Sequence, residues 1–294
     1  GKGEGCLLHF FSGYTSCRCK NESYSEDISA YFTSNLAFNL GALFKASGPL
    51  LVVSNACTSG ADAIGRAYNA ICAGLCDVAL CGGADTVSLI SHTGFARLMI
   101  TSRERCRPFD ANRTGLNLGE GAGMLVLESV ASCRKRGIEP LGYIAGYGSA
   151  SDAYHLTAPA PNACGLERAV KKALNAQEIE RDSLAFVNAH ATGTKENDVV
   201  EGTFLVKNFC SVPIWACKSV IGHTLGAAGA IEAILSLLAL KNKMIPKTHN
   251  FVEVDPKIGL IPTEAISVPR TTHALSISLG FGGSNAALLL HANV

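Results

Sequence analysis

The stretch Leu51-Val52-Val53-Ser54-Asn55-Ala56-Cys57-Thr58-Ser59-Gly60-Ala61-Asp62-Ala63-Ile64 changes character halfway along. Its apolar opening reads as a strand. Ser54-Asn55 is a tight polar corner, and the small residues beyond it have helical character. Cys57 falls on the corner. A thiol at a helix N-terminus feels the positive end of the helix dipole, which lowers its pKa and raises its thiolate fraction. Ala56, Thr58, Ser59 and Gly60 are small, so a large group can approach the sulfur. The pattern is that of a strand–nucleophile–helix elbow.

Working outward, residues 28–45 carry apolar side chains at helical spacing, and Gly48-Pro49 breaks the chain before a strand at 50–53. A helix is expected over 61–76, then a short buried strand at 78–81 closed by Gly82-Gly83-Ala84-Asp85. Residues 103–123 read as an irregular, charged and Gly-rich loop. Strands follow at 124–128, 141–147, 184–188 and 213–217. A basic helix ends at Arg136 with Gly137 as its C-cap, and further helices are expected over 162–175 and 226–241. Two closing strands, 274–279 and 286–291, flank Gly280-Phe281-Gly282-Gly283-Ser284-Asn285 as a hairpin. Strands alternating with helices define an α/β protein with a mainly parallel or mixed sheet.

The totals exclude several classes. A chain of 294 residues makes one large domain or two closely packed halves. A net charge of +1 provides no field for nucleic acid. The 12 Cys include several inside apolar segments, which suits a reducing, cytoplasmic setting rather than a disulfide framework. No CxxC pair is present, and no metal site is expected. Gly1-Lys2-Gly3-Glu4-Gly5 lacks the pattern of a secretory signal, and no membrane span is expected, since the longest candidate, 227–240, contains Glu232.

Reactive side chains follow three strand ends, where open α/β sheets place their sites. Cys57 follows the first, His190 the second and His223 the third. A thiolate can hold an acyl group as a thioester. Two imidazoles can donate hydrogen bonds to a thioester carbonyl as charge develops on its oxygen. That set suits carbon–carbon bond formation with a decarboxylated malonyl-type donor. A hydrolase more often uses one His with an orienting carboxylate and ready access for water.

The segments Asn55 to Gly60, Asn188 to Thr194 and Lys218 to Gly229 resemble a β-ketoacyl-[acyl-carrier-protein] synthase. So do Arg107-Pro108-Phe109-Asp110, Gly119-Glu120-Gly121-Ala122-Gly123 and the closing Gly280 to Asn285. The likeness runs in the family's order from about Leu50 onward and is nearest the elongating type II branch. It implies a thiolase-like layered fold of two similar α/β halves, 1–138 carrying the nucleophile and 139–294 carrying both His. It implies a transferase of fatty-acid and lipid metabolism that loads an acyl group from acyl-carrier protein onto Cys57. His190 and His223 would bind malonyl thioester and promote decarboxylation. Lys218 would orient the site with Glu232 as its charge partner. The N–H groups of Cys57 and Phe281 would form the oxyanion hole, Phe281 would gate the acyl pocket, and Thr192 and Thr194 would bind phosphopantetheine. No cofactor is implied beyond that arm on the carrier protein. The resemblance implies a homodimer, or a heterodimer with a homologous chain-length subunit in a specialised polyketide pathway.

Only 56 residues precede Cys57, whereas the family has a strand, a Gly-rich turn and a longer run there. The expectation is therefore a first half whose front is missing. A thiolase acting on coenzyme A esters would use a second Cys near the C-terminus; the last Cys is Cys217, which argues against it. His155 reads equally as a loop-organising group or a catalytic one. Arg103, Arg105 and Arg107 read as a solvated face or part of a docking surface for an acidic carrier protein. Gly119 to Gly123 lacks the Lys-Ser/Thr ending of a phosphate loop.

Overall fold

The computed structural model describes residues 6–10, 33–267 and 272–292. The first sheet is built from β1 (Cys6–Phe10), β2 (Leu50–Val53), β3 (Val78–Asp85) and β4 (Gly121–Glu128), with the helices α1 (Thr33–Leu43), α2 (Ser59–Cys72), α3 (Leu89–Arg97) and α4 (Val130–Arg136) interleaved. Its order is β2-β1-β3-β4, parallel except for β4. The second sheet comprises β5 (Tyr143–Ser151), β6 (Phe186–Asn188), β7 (Ile214–Trp215), β10 (His273–Gly280) and β11 (Ser284–His291). Between these strands lie α5 (Cys164–Asn175), α6 (Lys195–Asn208), α7 (Lys218–Ile221), α8 (Ala228–Lys241) and a small ribbon of β8 (Met244–Ile245) with β9 (Ile266–Ser267). Its order is β5-β11-β10-β6-β7.

The helices α2 and α8 pack on each other and touch strands of both sheets. They form an apolar middle layer with Ala63, Ile64, Ala67, Ala230 and Ala233, against Phe186, Trp215 and Leu288 of the second sheet. A separate core cluster joins Leu166, Ala169 and Val170 of α5 and Leu205 of α6 to Leu275, Ile277 and Leu289 of the same sheet. Residues 274–279 of β10 are therefore all buried, as a strand covered on both faces must be.

The strand β2 and the β10–β11 hairpin fall where the sequence sets them, and Gly137 closes α4 in the left-handed region at φ 67°. The expected helix over 61–76 instead runs 59–72, because the chain turns off at Ala73 and Gly74, the latter at φ 69°. The glycines after Cys81 do not close their strand. The strand β3 continues to Asp85, paired with β4. A Cβ on Gly83 would lie 2.7 Å from Gly226 O, so the glycine lets the start of α8 rest on the strand. Of the helix expected over 28–45, residues 28–32 lie outside the described residues.

Candidate active site

The elbow connects β2 to α2. Ala56 sits at φ 49°, a left-handed conformation that costs a residue with a Cβ about 1–2 kcal/mol. The Ser59 hydroxyl spans the kink, accepting from Asn55 N at 2.8 Å and donating to Ala56 O at 2.6 Å. Cys57 projects from it and is 6% exposed.

His190 lies two residues beyond β6. Its backbone N–H and that of Ala191 are both received by the Glu201 carboxylate of α6, at 2.6 and 2.7 Å. Asp198, one turn earlier, accepts from Gly193 N and Phe109 N. His223 follows α7 and is gripped by the chain beside it: its N–H donates to Asn117 O and its carbonyl accepts from Gly119 N. Three loops from both sheets thus meet.

His223 Nε2 is 3.1 Å from Cys57 Sγ, and the two imidazole rings meet edge to face with centroids 5.2 Å apart. Lys218 Nζ is 3.2 Å from His190 Nδ1 and forms an ion pair with Glu232. Lys218 is 1% exposed. Burial, the largest single effect, would lower its pKa, but Glu232, Cys217 and Glu201 together outweigh it and raise the pKa, so Lys218 is an ammonium. An ammonium only donates, so His190 Nδ1 accepts and His190 Nε2 carries the proton.

Burial, then the Lys218 charge, hold both imidazoles well below the usual 6.5, so each is neutral. The helix-dipole argument for Cys57 is reversed. Burial pushes its thiol up to about 11, against the lowering effects of Lys218 and a hydrogen bond from the Phe281 N–H. At neutral pH the sulfur is a thiol that must lose its proton as it attacks.

Cys57, His190 and His223 present their donor atoms within 4.8 Å of one another, close enough to surround a metal ion. The chemistry does not fit one well. The proton on His190 Nε2 occupies the lone pair a metal would need, and a buried ammonium stands behind that ring.

The Phe281 amide points at the sulfur and its ring stacks on Phe95 with centroids 5.6 Å apart. The Thr192 and Thr194 hydroxyls are 3.0 Å from each other on the loop beyond His190. His155 is exposed and receives the N–H groups of Thr157 and Ala158 on Nδ1, so it organises its own loop. Cys217 faces Glu232, not Cys57. Arg103 and Arg105 are exposed, and Arg107 pairs with Glu104. A cavity of about 540 Å³ lined by Arg105, Asn117, Lys218 and His249, among others, lies beside the site and includes none of Cys57, His190 or His223.

Sequence reasoning missed Glu201 and Asp198. They lie on α6, a helix with carboxylates on its buried side, and the signal available was their three-residue spacing just after the His190 loop.

Residues 9–132 match the family described as Beta-ketoacyl synthase, N-terminal domain, and residues 141–252 match Beta-ketoacyl synthase, C-terminal domain. The chain belongs to the β-ketoacyl synthase family. Its fold is thiolase-like, in common with the family's solved structures. Among relatives, a Streptomyces cyaneus protein with a polyketide β-ketoacyl synthase name is 37% identical over 89% of the chain. The 3-oxoacyl-[acyl-carrier-protein] synthase 2 of Staphylococcus aureus is 37% identical over 87%. A ketosynthase in complex with its chain length factor from Xenorhabdus doucetiae superposes with a TM-score of 0.87 at 30% identity, covering 99% of this chain and 76% of that one. The chain spans 65% of the length of the Streptomyces relative and 66% of the Staphylococcus one.

Proposed function

We propose that the chain is a β-ketoacyl-[acyl-carrier-protein] synthase that performs decarboxylative Claisen condensation. The observation that carries the reading is the partner of His190. A hydrolytic triad sets a carboxylate on the imidazole and makes it a base. Here Lys218 occupies that position at 3.2 Å, which makes His190 a poor base and a good Nε2–H donor.

In the first half-reaction Cys57 attacks the thioester of an acyl-carrier protein. A new S–C bond forms, the pantetheine thiol leaves with the proton, and the N–H groups of Cys57 and Phe281 hold the transient oxyanion. Malonyl-carrier protein then binds, its arm bonded by Thr192 and Thr194. His190 and His223 donate to its thioester oxygen while the bond to the carboxylate breaks and CO2 departs. The enolate carbon attacks the acyl-Cys57 carbonyl, and the sulfur leaves as a thiolate that takes a proton from solvent, restoring the Cys57 thiol as the β-ketoacyl product forms. The proposed reaction invokes no cofactor beyond the carrier's phosphopantetheine arm.

Cys57→Ala with radiolabelled acyl-carrier protein tests the assignment. The variant is expected to take no covalent label; a labelled variant overturns it. The pathway is read as fatty-acid synthesis in a cytoplasmic, reducing setting, which the free cysteines among the described residues support. A second reading, the catalytic member of a polyketide heterodimer, is favoured by the likeness to a ketosynthase bound to its chain length factor. Gel filtration alone and with a co-expressed homologue separates a homodimer from that pair. Two similar halves, 1–138 and 139–294, are part of the same proposal.

A further inference from the structure

We infer that Asp62 is a positioning residue for the nucleophile, clamping the elbow on both sides of Cys57 while Tyr147 pins the clamp to the second sheet. The inference rests on the reading of Cys57 as acyl acceptor.

Asp62 is 3% exposed and forms no ion pair among the described residues. A buried carboxylate is costly unless several donors satisfy it. Its Oδ2 accepts from Asn55 Nδ2 at 2.6 Å and from Thr58 Oγ1 at 2.8 Å. Those residues bracket Ala56 and Cys57, so one oxygen grips the chain just before and just after the strained kink. Its Oδ1 accepts from the Tyr147 hydroxyl at 2.7 Å. Tyr147 belongs to β5, and its ring lies flat on α2 where Gly65 leaves room: a Cβ there would sit 2.2 Å from the ring. The helix has therefore given up a side chain so that the tyrosine can reach the carboxylate.

The clamp also meets the turn that carries Phe281. Thr58 Oγ1, held by Asp62, is 3.3 Å from Ser284 Oγ, which donates to Asn55 O at 3.4 Å. The elbow and the Phe281 amide are registered through the same hydroxyl. Asp62 lies in the first turn of α2 and gains from the helix dipole, as any carboxylate there does. Among the described residues, its side-chain hydrogen-bond donors are instead two elbow side chains and a tyrosine from another sheet, which a helix-stabilising role does not require.

The test uses the full chain with Asp62→Ala, Asp62→Asn and Tyr147→Phe. Octanoyl-carrier protein reports acylation of Cys57, CO2 release from malonyl-carrier protein reports the histidines, and iodoacetamide reports the thiol without substrate. Asp62→Ala is expected to lower kcat for acylation by roughly a hundredfold, with KM and CO2 release changed by less than about threefold. Asp62→Asn keeps an accepting oxygen and restores acylation to within about tenfold of the parent. The alkylation profile should shift to faster reaction in Asp62→Ala, because a loosened elbow opens the buried sulfur to the reagent. Unchanged acylation, an equal fall in acylation and CO2 release, or an unmoved alkylation profile each overturns the proposal. If Asp62→Ala does not fold, Tyr147→Phe decides: acylation should fall severalfold at constant KM, and parental acylation overturns the pin. A parent that forms no acyl-Cys57 refutes the condensing function, and the alkylation profile then still decides the clamp.

Discussion

Lys218 Nζ lies 3.2 Å from His190 Nδ1. The contact fixes the proton of His190 on Nε2, on a ring that meets His223 edge to face. Glu232 keeps Lys218 charged although both are buried, so a carboxylate and an ammonium in series replace the single carboxylate of a hydrolytic site. The imidazole becomes a fixed donor.

Removing that donor should separate the two half-reactions. In Lys218→Met, His190 is free to move its proton to Nδ1, and CO2 release from malonyl-carrier protein should fall by roughly 10²–10⁴. Formation of acyl-Cys57 should stay within about tenfold. Glu232 loses its partner, so stability in urea should drop by roughly 3–5 kcal/mol. The double variant Lys218→Met/Glu232→Gln should recover stability without recovering CO2 release. Equal loss of both half-reactions would show that Lys218 does not act through His190.

The pH response follows from the depressed imidazoles. The arrangement around Lys218 rests on neutral His190 and His223, since protonating either ring sets a second positive charge near the ammonium, and both rings stay neutral to well below 6.5. The rate of CO2 release should be flat through pH 6.5 and fall only at a clearly more acid value. For stability the sign is set by proton counts. Below 6.5 the unfolded imidazoles bind protons and the folded ones do not, so stability is present above 6.5 and lost as pH falls through that window. At the alkaline end Cys57 keeps its proton to about 11 rather than 9.0, so stability is lost as pH rises between those values. A break in the rate at 6.5, or denaturation midpoints independent of acidification below it, would contradict the burial of these rings.

What the sequence discloses is local. The strand before Cys57, the C-cap at Gly137 and the closing hairpin follow from patterns a few residues long. Cys57 and His190 are legible because each closely follows a strand end, whereas His223 lies beyond the short helix α7 that intervenes after β7. What stays hidden depends on distant packing. Gly82 and Gly83 read as closing a strand, yet they are strand residues: Gly82 lies against Gly123 and Met124 of β4, and Gly83 against the turn at Gly226 that leads into α8. The helix α6 lacks a clear apolar stripe because Asp198 and Glu201 are turned inward to hold the His190 loop. The Cys57 pKa runs opposite to the dipole argument because burial is a property of the whole fold.

The close approach at Gly83 has a stability consequence. A methyl group there would meet Gly226 O at 2.7 Å and Ala227 Cα at 3.1 Å, both backbone atoms with little freedom to retreat. Gly83→Ala should cost about 1–3 kcal/mol in urea denaturation. It should also slow the proposed condensation, because Gly226 N is anchored on Asp85 and begins the segment just after His223. A variant within about 0.5 kcal/mol of the parent would mean that α8 can shift away from the sheet.

Arg113 offers a test of the Thr192–Thr194 loop, which is proposed to bind the pantetheine arm. Its guanidinium is buried and serves four acceptors: Asp110 O at 2.9 Å, Asp255 Oδ2 at 2.6 Å, Thr194 O at 3.2 Å and Lys195 O at 3.1 Å. A planar fork can satisfy that set and an ammonium cannot. Arg113→Lys keeps the charge opposite Asp255 but releases the carbonyls of Thr194 and Lys195, so the Thr192–Thr194 loop loses its anchor. The KM for carrier-linked substrates should rise about tenfold while kcat changes less, with roughly 1–3 kcal/mol of stability lost. Iodoacetamide should alkylate Cys57 at the parental rate, because the elbow is held by a separate network. A loss of stability with KM unchanged would place Arg113 in the scaffold alone and would remove the support it gives to Thr192 and Thr194 as the groups that hold the arm.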